Sequence, residues 1–86
     1  MGTYAVQISR SAAKQIQDIP LPWRDRIGRA IDLLELNPFI GTKMRGEYEG
    51  WWKLKVWPYR IYYSMFKQEK TVIIVRVKHR GSAGYK

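Results

Sequence analysis

The stretch WWKLKVWPYRIYYSMF, Trp51–Phe66, decides the fold. Trp52, Leu54 and Val56 fall on one face and Lys53, Lys55 and Trp57 on the other. That period of two is the pattern of a half-buried strand. Pro58 cannot donate to a strand ladder and marks a tight turn or bulge at the strand boundary. Arg60–Phe66 is rich in aromatic and β-branched residues and reads as a second strand. The polar residues 67–70 make a hairpin turn. Thr71–Lys78 is nearly all β-branched and apolar, which suits a central strand. Three consecutive strands with short turns form an antiparallel meander.

Upstream, Pro38, Gly41, Gly46 and Gly50 punctuate an irregular connection that carries Lys43 and Arg45. Before it, Trp23, Ile27, Ala30, Ile31 and Leu34 recur at spacings of three and four, the apolar stripe of a helix over Trp23–Leu36. Pro22 suits its first turn and Asn37-Pro38 ends it. A shorter helix over roughly Ser11–Asp18 is capped by Ser9 or Ser11, whose hydroxyl accepts the unpaired N–H groups of the first turn. Pro20 and Pro22 stop it. Residues 4–9 alternate and open the chain as a strand. The order is β-α-α-β-β-β. This predicts an α+β fold in one domain, residues 1–86, with the helix pair covering one face of a single sheet.

The chain has 86 residues, with 16 Lys and Arg against 7 Asp and Glu, a net charge of +9. That surplus points to a polyanionic partner and away from a generic small-metabolite enzyme. The absence of cysteine excludes disulfides, Cys-based zinc sites and Cys nucleophiles, and a single histidine excludes a His-rich metal site. No metal and no cofactor is expected. No apolar run approaches the ~18 residues of a membrane span, and the N-terminus lacks an apolar signal core, so a cytoplasmic location is expected.

Much of the charge belongs to the C-terminal half. Lys53 and Lys55, two apart on one strand, project side by side. Arg45, Arg60, Arg76, Lys78, His79 and Arg80 lie in the same region, interleaved with Trp51, Trp57, Tyr59, Tyr62 and Tyr85. Cations that grip phosphate beside rings that stack on bases make up a single-stranded RNA site. The bland reading is a solvated basic face over a packed sheet. His79 is the side chain whose ordinary pKa lies near neutrality, and a lone histidine in a small domain is more often structural. Neighbouring positive charge lowers the pKa of lysine and histidine and makes them better proton shuttles. Metal-free RNA cleavage needs a base for the 2′-OH, cations for the phosphorane, an acid for the leaving 5′-oxygen and a means of splaying bases. Lys, Arg, His and Tyr can supply all four. No Ser–His–Asp arrangement is plausible, because Asp18, Asp25 and Asp32 lie in the helical half. Glu47 and Glu49 read as loop charge, with a carboxylate base as the weaker alternative. The glycines of 41–50 form no phosphate-cradling motif. The Arg-rich second helix is compatible with DNA contact, without a recognition pattern.

The ordering resembles the RelE/ParE superfamily of bacterial and archaeal toxins, and its RelE-like branch in particular. "YAVQISRSAAKQIQDIP" is similar to the family's first strand and helix, and "RIGRAIDLLELNP" to its second helix. "KMRGEYEGWWKLKVWPYRIYYSM" is similar to the core block that joins a basic strand to a "YR" strand. "VIIVRVKHRGSAGYK" is similar to the last strand and the "HR…Y" ending.

The resemblance implies a ribosome-dependent endoribonuclease that cuts mRNA in the A site, beside 16S rRNA, and stops translation. It also implies a cognate acidic antitoxin and a toxin–antitoxin hetero-oligomer. Carried over by position, Lys53 and Lys55 are the paired basic residues, with Lys55 as the first choice for general base. Arg60 would stabilise the transition-state phosphate. His79 falls near the acid, with Arg80 as competitor one residue away. Tyr85 falls near the tyrosine that stacks on the substrate base. Lys43, Arg45, Trp57, Arg76 and Lys78 are expected to bind RNA. Two alternatives stand beside this reading: a gyrase-inhibiting toxin of the ParE kind, and a non-catalytic RNA- or ribosome-binding module. An exposed basic face next to apolar helix and sheet edges suits an acidic segment that folds on binding, so the antitoxin is expected to wrap the helix pair and sheet edge.

Overall fold

Local capping and pairing chemistry set the elements one by one. The computed structural model describes residues 3–80. In it β1 (Ala5–Ile8) leads to α1 (Arg10–Gln17) and α2 (Trp23–Leu36), then to β2 (Thr42–Lys43), β3 (Trp51–Val56), β4 (Tyr59–Phe66) and β5 (Thr71–His79). Single 3-10 turns at Pro38–Ile40 and Gly46–Tyr48 flank β2. The class is α+β, as the pattern predicts, but the sheet has five strands in the order β1-β5-β4-β3-β2. The additional strand, β2, lies in the connection expected to be irregular. It pairs Thr42 with Lys53 and Lys43 with Trp52. Two residues are too few to show a period.

β1 joins β5 in parallel, while β2, β3, β4 and β5 pair antiparallel. A parallel neighbour requires a crossover: the two helices carry the chain from β1 to β2 at the opposite edge, and the antiparallel strands bring it back to β5. Ser9 caps α1 by accepting the Ala12 N–H at 3.1 Å. Its hydroxyl also donates to the Val75 carbonyl at 3.3 Å, and its N–H to the Ile74 carbonyl at 2.9 Å. These contacts hold the start of α1 on β5. Further along α1, the Gln15 Oε1 accepts the Val77 N–H at 2.8 Å. α2 buries Ile27, Ala30 and Leu34 against Ile61, Tyr63, Val72, Ile74 and Val77. Each aliphatic side chain so buried contributes roughly 1.5–3 kcal/mol. Both helices use the inner face of the sheet, and the outer face is left to solvent.

Tyr63 is fully buried. Its hydroxyl donates to the Pro38 carbonyl at 2.6 Å and accepts the Gly41 N–H at 3.2 Å. Burial pushes the phenol pKa above its usual value, and the Gly41 N–H pulls the other way. The ring stacks on Trp52 at 6.2 Å between centroids, and Phe39 meets Trp52 edge-on at 5.8 Å. Tyr63→Phe removes both hydrogen bonds and leaves two backbone groups unpaired beside the core. We expect a loss of about 1–3 kcal/mol, read as a lower urea midpoint at unchanged slope.

A bulge in β5 decides which side chains share the outer face. Tyr62 pairs with Arg76, yet Tyr63 pairs with Ile74, so Val75 is the extra residue. An unbroken ladder would set Arg76 opposite the buried Ile61. The extra residue turns the strand by one position, which exchanges its faces. Ile61 then faces Val77, and Arg60 faces Lys78.

Candidate nucleic-acid interface

The pairing registers assemble a row of three cations. Lys55 on β3 lies directly opposite Arg60 on β4, and Arg60 lies opposite Lys78 on β5. The neighbouring row runs Thr42, Lys53, Tyr62, Arg76. Like charges placed directly opposite each other destabilise a sheet. A fold that brings three together across successive strands carries a local cost with no structural return, which is the usual mark of a functional surface. Lys53 shows the strain. Its ammonium is held below the ordinary lysine pKa of 10.5, first by burial and then by the charges of Arg60 and Lys55.

At one end of the first row, the β3–β4 turn and the end of β5 form an open cleft of about 230 Å³, lined by Lys55, Trp57, Pro58, Tyr59, Arg60 and Arg80. The Arg80 N–H donates to the Pro58 carbonyl at 2.7 Å, which pins the arginine to the turn. Its guanidinium lies 5.9 Å from the centroid of the Trp57 ring. Both Trp57-Pro58 and Leu21-Pro22 are cis peptides. Trp57 belongs to the turn rather than to the strand face it was assigned to, and it is 68% exposed.

His79 is placed differently. It pairs with Tyr59, whose ring packs against the core, and meets that ring edge-on at 5.2 Å. It therefore projects to the helix side of the sheet, opposite in sense to Lys78. Of the two residues competing for the acid's position, Arg80 lines the cleft, while His79 does not and instead contacts Tyr59, one of the lining residues. Tyr85 lies outside the described residues.

The remaining basic residues divide. Arg76 covers Trp51 at 5.9 Å, and Trp51 also contacts Tyr48 at 5.7 Å and Tyr62 at 6.3 Å. This aromatic group sits on the outer face beside Lys53. Lys43 and Arg45 line a separate depression of about 370 Å³ with Met44, Gly46, Glu49 and Gly50. They are not part of the Lys55–Arg80 cleft, and Glu49 belongs to that second depression. Pro58 marks a tight turn in the sequence, and the structure gives it one further part: its carbonyl accepts the Arg80 N–H. No sequence pattern signals that contact.

Lys53 gives a stability prediction. A lysine whose folded pKa is lowered binds fewer protons folded than unfolded. The penalty is complete below the folded pKa and is relieved as pH rises toward 10.5. Lys53→Met removes the charge and should stabilise the fold at pH 7 by on the order of 0.5 kcal/mol, a gain that fades as pH nears 10.5. Urea titrations at pH 7 and pH 10 check the size and its trend.

Comparison with known proteins identifies the family and the fold. The family of the ParE toxin of the type II toxin–antitoxin system parDE matches residues 6–84. Among solved structures, the toxin–antitoxin complex RelBE2 from Mycobacterium tuberculosis superposes with a TM-score of 0.85 at 25% identity, covering 91% of this chain and 99% of that one. The archaeal RelE–RelB complex from Pyrococcus horikoshii OT3 gives 0.81 at 28% identity, covering 92% and 97%. The isolated E. coli RelE toxin shares the fold, with a TM-score of 0.77 at 20% identity, covering 88% and 83%. No protein of curated function matches the sequence. A family match over nearly the whole length, on a RelE-like fold, means that the chain belongs to the ParE toxin family of type II toxin–antitoxin systems, within the RelE/ParE superfamily.

Proposed function

We propose that this toxin is a ribosome-dependent endoribonuclease that cleaves mRNA in the A site by attack of the 2′-OH on the adjacent phosphate. The observation that carries the reading is the row Lys55, Arg60, Lys78, of which Lys55 and Arg60 line one open cleft together with Arg80. A phosphorane gathers negative charge as it forms. Cations already held in place by strand pairing stabilise that charge without reorganising.

Two lysines are placed to take the 2′-OH proton. Lys55 lines the cleft, and Lys53 has the lowered pKa. Reach comes before pKa in choosing a base, so we assign the base to Lys55 and phosphate binding on the adjacent row to Lys53. Arg60 holds the equatorial oxygens. Arg80 lines the cleft beside Arg60 and donates a hydrogen bond to the departing 5′-oxygen, whose proton comes from water in the open cleft, because the guanidinium keeps its own. The mechanism asks nothing of a metal or a cofactor. The ribosome supplies what so small a scaffold does not, by holding the mRNA in a cleavable conformation within the cytoplasm. An antitoxin partner is part of the proposal, supported by relatives that crystallise with RelB antitoxins.

The test is primer-extension mapping of transcripts after induction of the toxin. Cuts phased with codons in translated messages are expected, and translated and untranslated copies of one transcript should differ. The match to the ParE toxin family supports a second reading, gyrase poisoning. It predicts SOS induction and gyrase-linked DNA breaks with intact messages, and that outcome would replace the first reading.

A further inference from the structure

The cleft holds a large ring that the cleavage chemistry does not use. Trp57 stands at the tip of the β3–β4 turn, 68% exposed, more than any other large hydrophobic residue described. The other tryptophans are half-buried: Trp51 lies in the aromatic group of the outer face, while Trp23 and Trp52 pack against the core. An indole left to water at a turn is unfavourable unless something covers it. What surrounds it is cationic. Arg80 lies at 5.9 Å over the ring, and Lys55 and Arg60 share the cleft. The cleft therefore offers positive charge and an exposed indole side by side. A nucleotide carries the matching pair of features, a phosphate and a flat base.

We propose that the Trp57 indole is a stacking platform for one RNA base whose phosphate is held by Lys55, Arg60 and Arg80. This rests on the reading of the cleft as an RNA site and adds to it a base-binding element distinct from the chemistry. Stacking engages the π-face that every base has, so the position tolerates all four bases while requiring that one be present. Arg80 has two contacts in this arrangement, the ring it flanks and the phosphate it grips. The pin from its N–H to the Pro58 carbonyl keeps ring and guanidinium together as one unit.

The experiment measures binding without cleavage. The probe is a labelled single-stranded 2′-O-methyl oligoribonucleotide, which has no attacking hydroxyl, and a set of copies each with one abasic sugar at a successive position. Anisotropy titrations use the full chain. One abasic position should weaken wild-type binding about tenfold, within the range of stacking a base on an aromatic side chain. Trp57→Leu should bind the intact probe about tenfold more weakly and be indifferent to that abasic position. Its salt dependence should be unchanged, because no phosphate contact is lost. Trp57→Tyr keeps a π-face and should restore most of the affinity, which also shows that the turn tolerates substitution. Equal binding by Trp57→Leu and wild type, or an abasic penalty that survives Trp57→Leu, overturns the proposal. So does a wild-type chain that does not bind the probe. The cleavage reading fails separately: if stacking behaves as stated but programmed ribosomes keep their mRNA intact, the platform stands and the ribonuclease assignment falls.

Discussion

Arg80→Ala is expected to lower mRNA cleavage on programmed ribosomes by about 10²–10³-fold, while His79→Ala leaves it within about threefold. The first figure is the usual cost of removing one preorganised donor from a site where charge develops. Arg80 lines the cleft with Lys55 and Arg60, and its backbone is anchored to the turn at Pro58. The second figure follows from the strand: His79 pairs with Tyr59 and sets its ring against Tyr59 on the helix side of the sheet. Arginine stays charged throughout the working pH range. Cleavage by the wild type should therefore lack an inflection near the ordinary histidine pKa. Arg80→Lys keeps the charge without the fork and should recover part of the loss. Single-turnover cleavage on ribosomes with a defined A-site codon measures all three variants. If His79→Ala is the severe lesion and Arg80→Ala is mild, the assignment of the leaving-group side is wrong.

From sequence His79 is the first choice for the acid's position, and the proposal of Arg80 in its place rests on a single inserted residue. Alternation along β5 suffices to find the strand but not to orient its last residues. The extra residue at Val75 exchanges the faces from Arg76 onward. Arg76 and Lys78 then join Lys53, Lys55 and Arg60, and His79 goes to the other side. A bulge has no signature in one sequence here: Val75 is a β-branched residue in a β-branched run. β3 is legible because Trp52, Leu54 and Val56 alternate with Lys53 and Lys55, β4 because aromatic and β-branched residues fill it, and Pro58 separates the two. The helices were legible because Ser9, the proline pair and Asn37-Pro38 mark their ends chemically. α1 nevertheless starts at Arg10 and ends at Gln17, since Ser9 rather than Ser11 is the cap. The division of basic residues into two depressions was beyond reach. Lys43 and Arg45 are close in sequence to Lys53, but β2 reverses direction before β3 and carries them to its far end.

Gly41→Ala should be the most destabilising conservative change at a glycine in the described chain, at about 2–3 kcal/mol, with loss of cleavage beyond what lower stability explains. The backbone there is extended, φ −82° and ψ −172°, a conformation any residue adopts. Space is the constraint. A Cβ at Gly41 would lie 2.5 Å from the Tyr63 hydroxyl and 2.7 Å from the Lys53 carbonyl oxygen. Neither can retreat. The Tyr63 hydroxyl is held between the Pro38 carbonyl and the Gly41 N–H, and Lys53 is held between Thr42 on β2 and Tyr62 on β4. The added methyl must push β3 at the residue next to Lys55 but one, and so shift the cationic row it helps to build. Gly28→Ala is the matched control. It lies on the exposed side of α2 with nothing within 4 Å of its added Cβ. It should raise stability by about 0.5–1 kcal/mol, because alanine loses less backbone freedom in a helix. The two variants differ from wild type by the same methyl group, so opposite signs in urea titration isolate packing from composition. A Gly41→Ala chain within about 0.5 kcal/mol of wild type, comparable to an ordinary surface change, would mean that β2 and the Pro38–Gly41 turn can move away from β3. The site would then owe its geometry to the β3–β4–β5 meander alone.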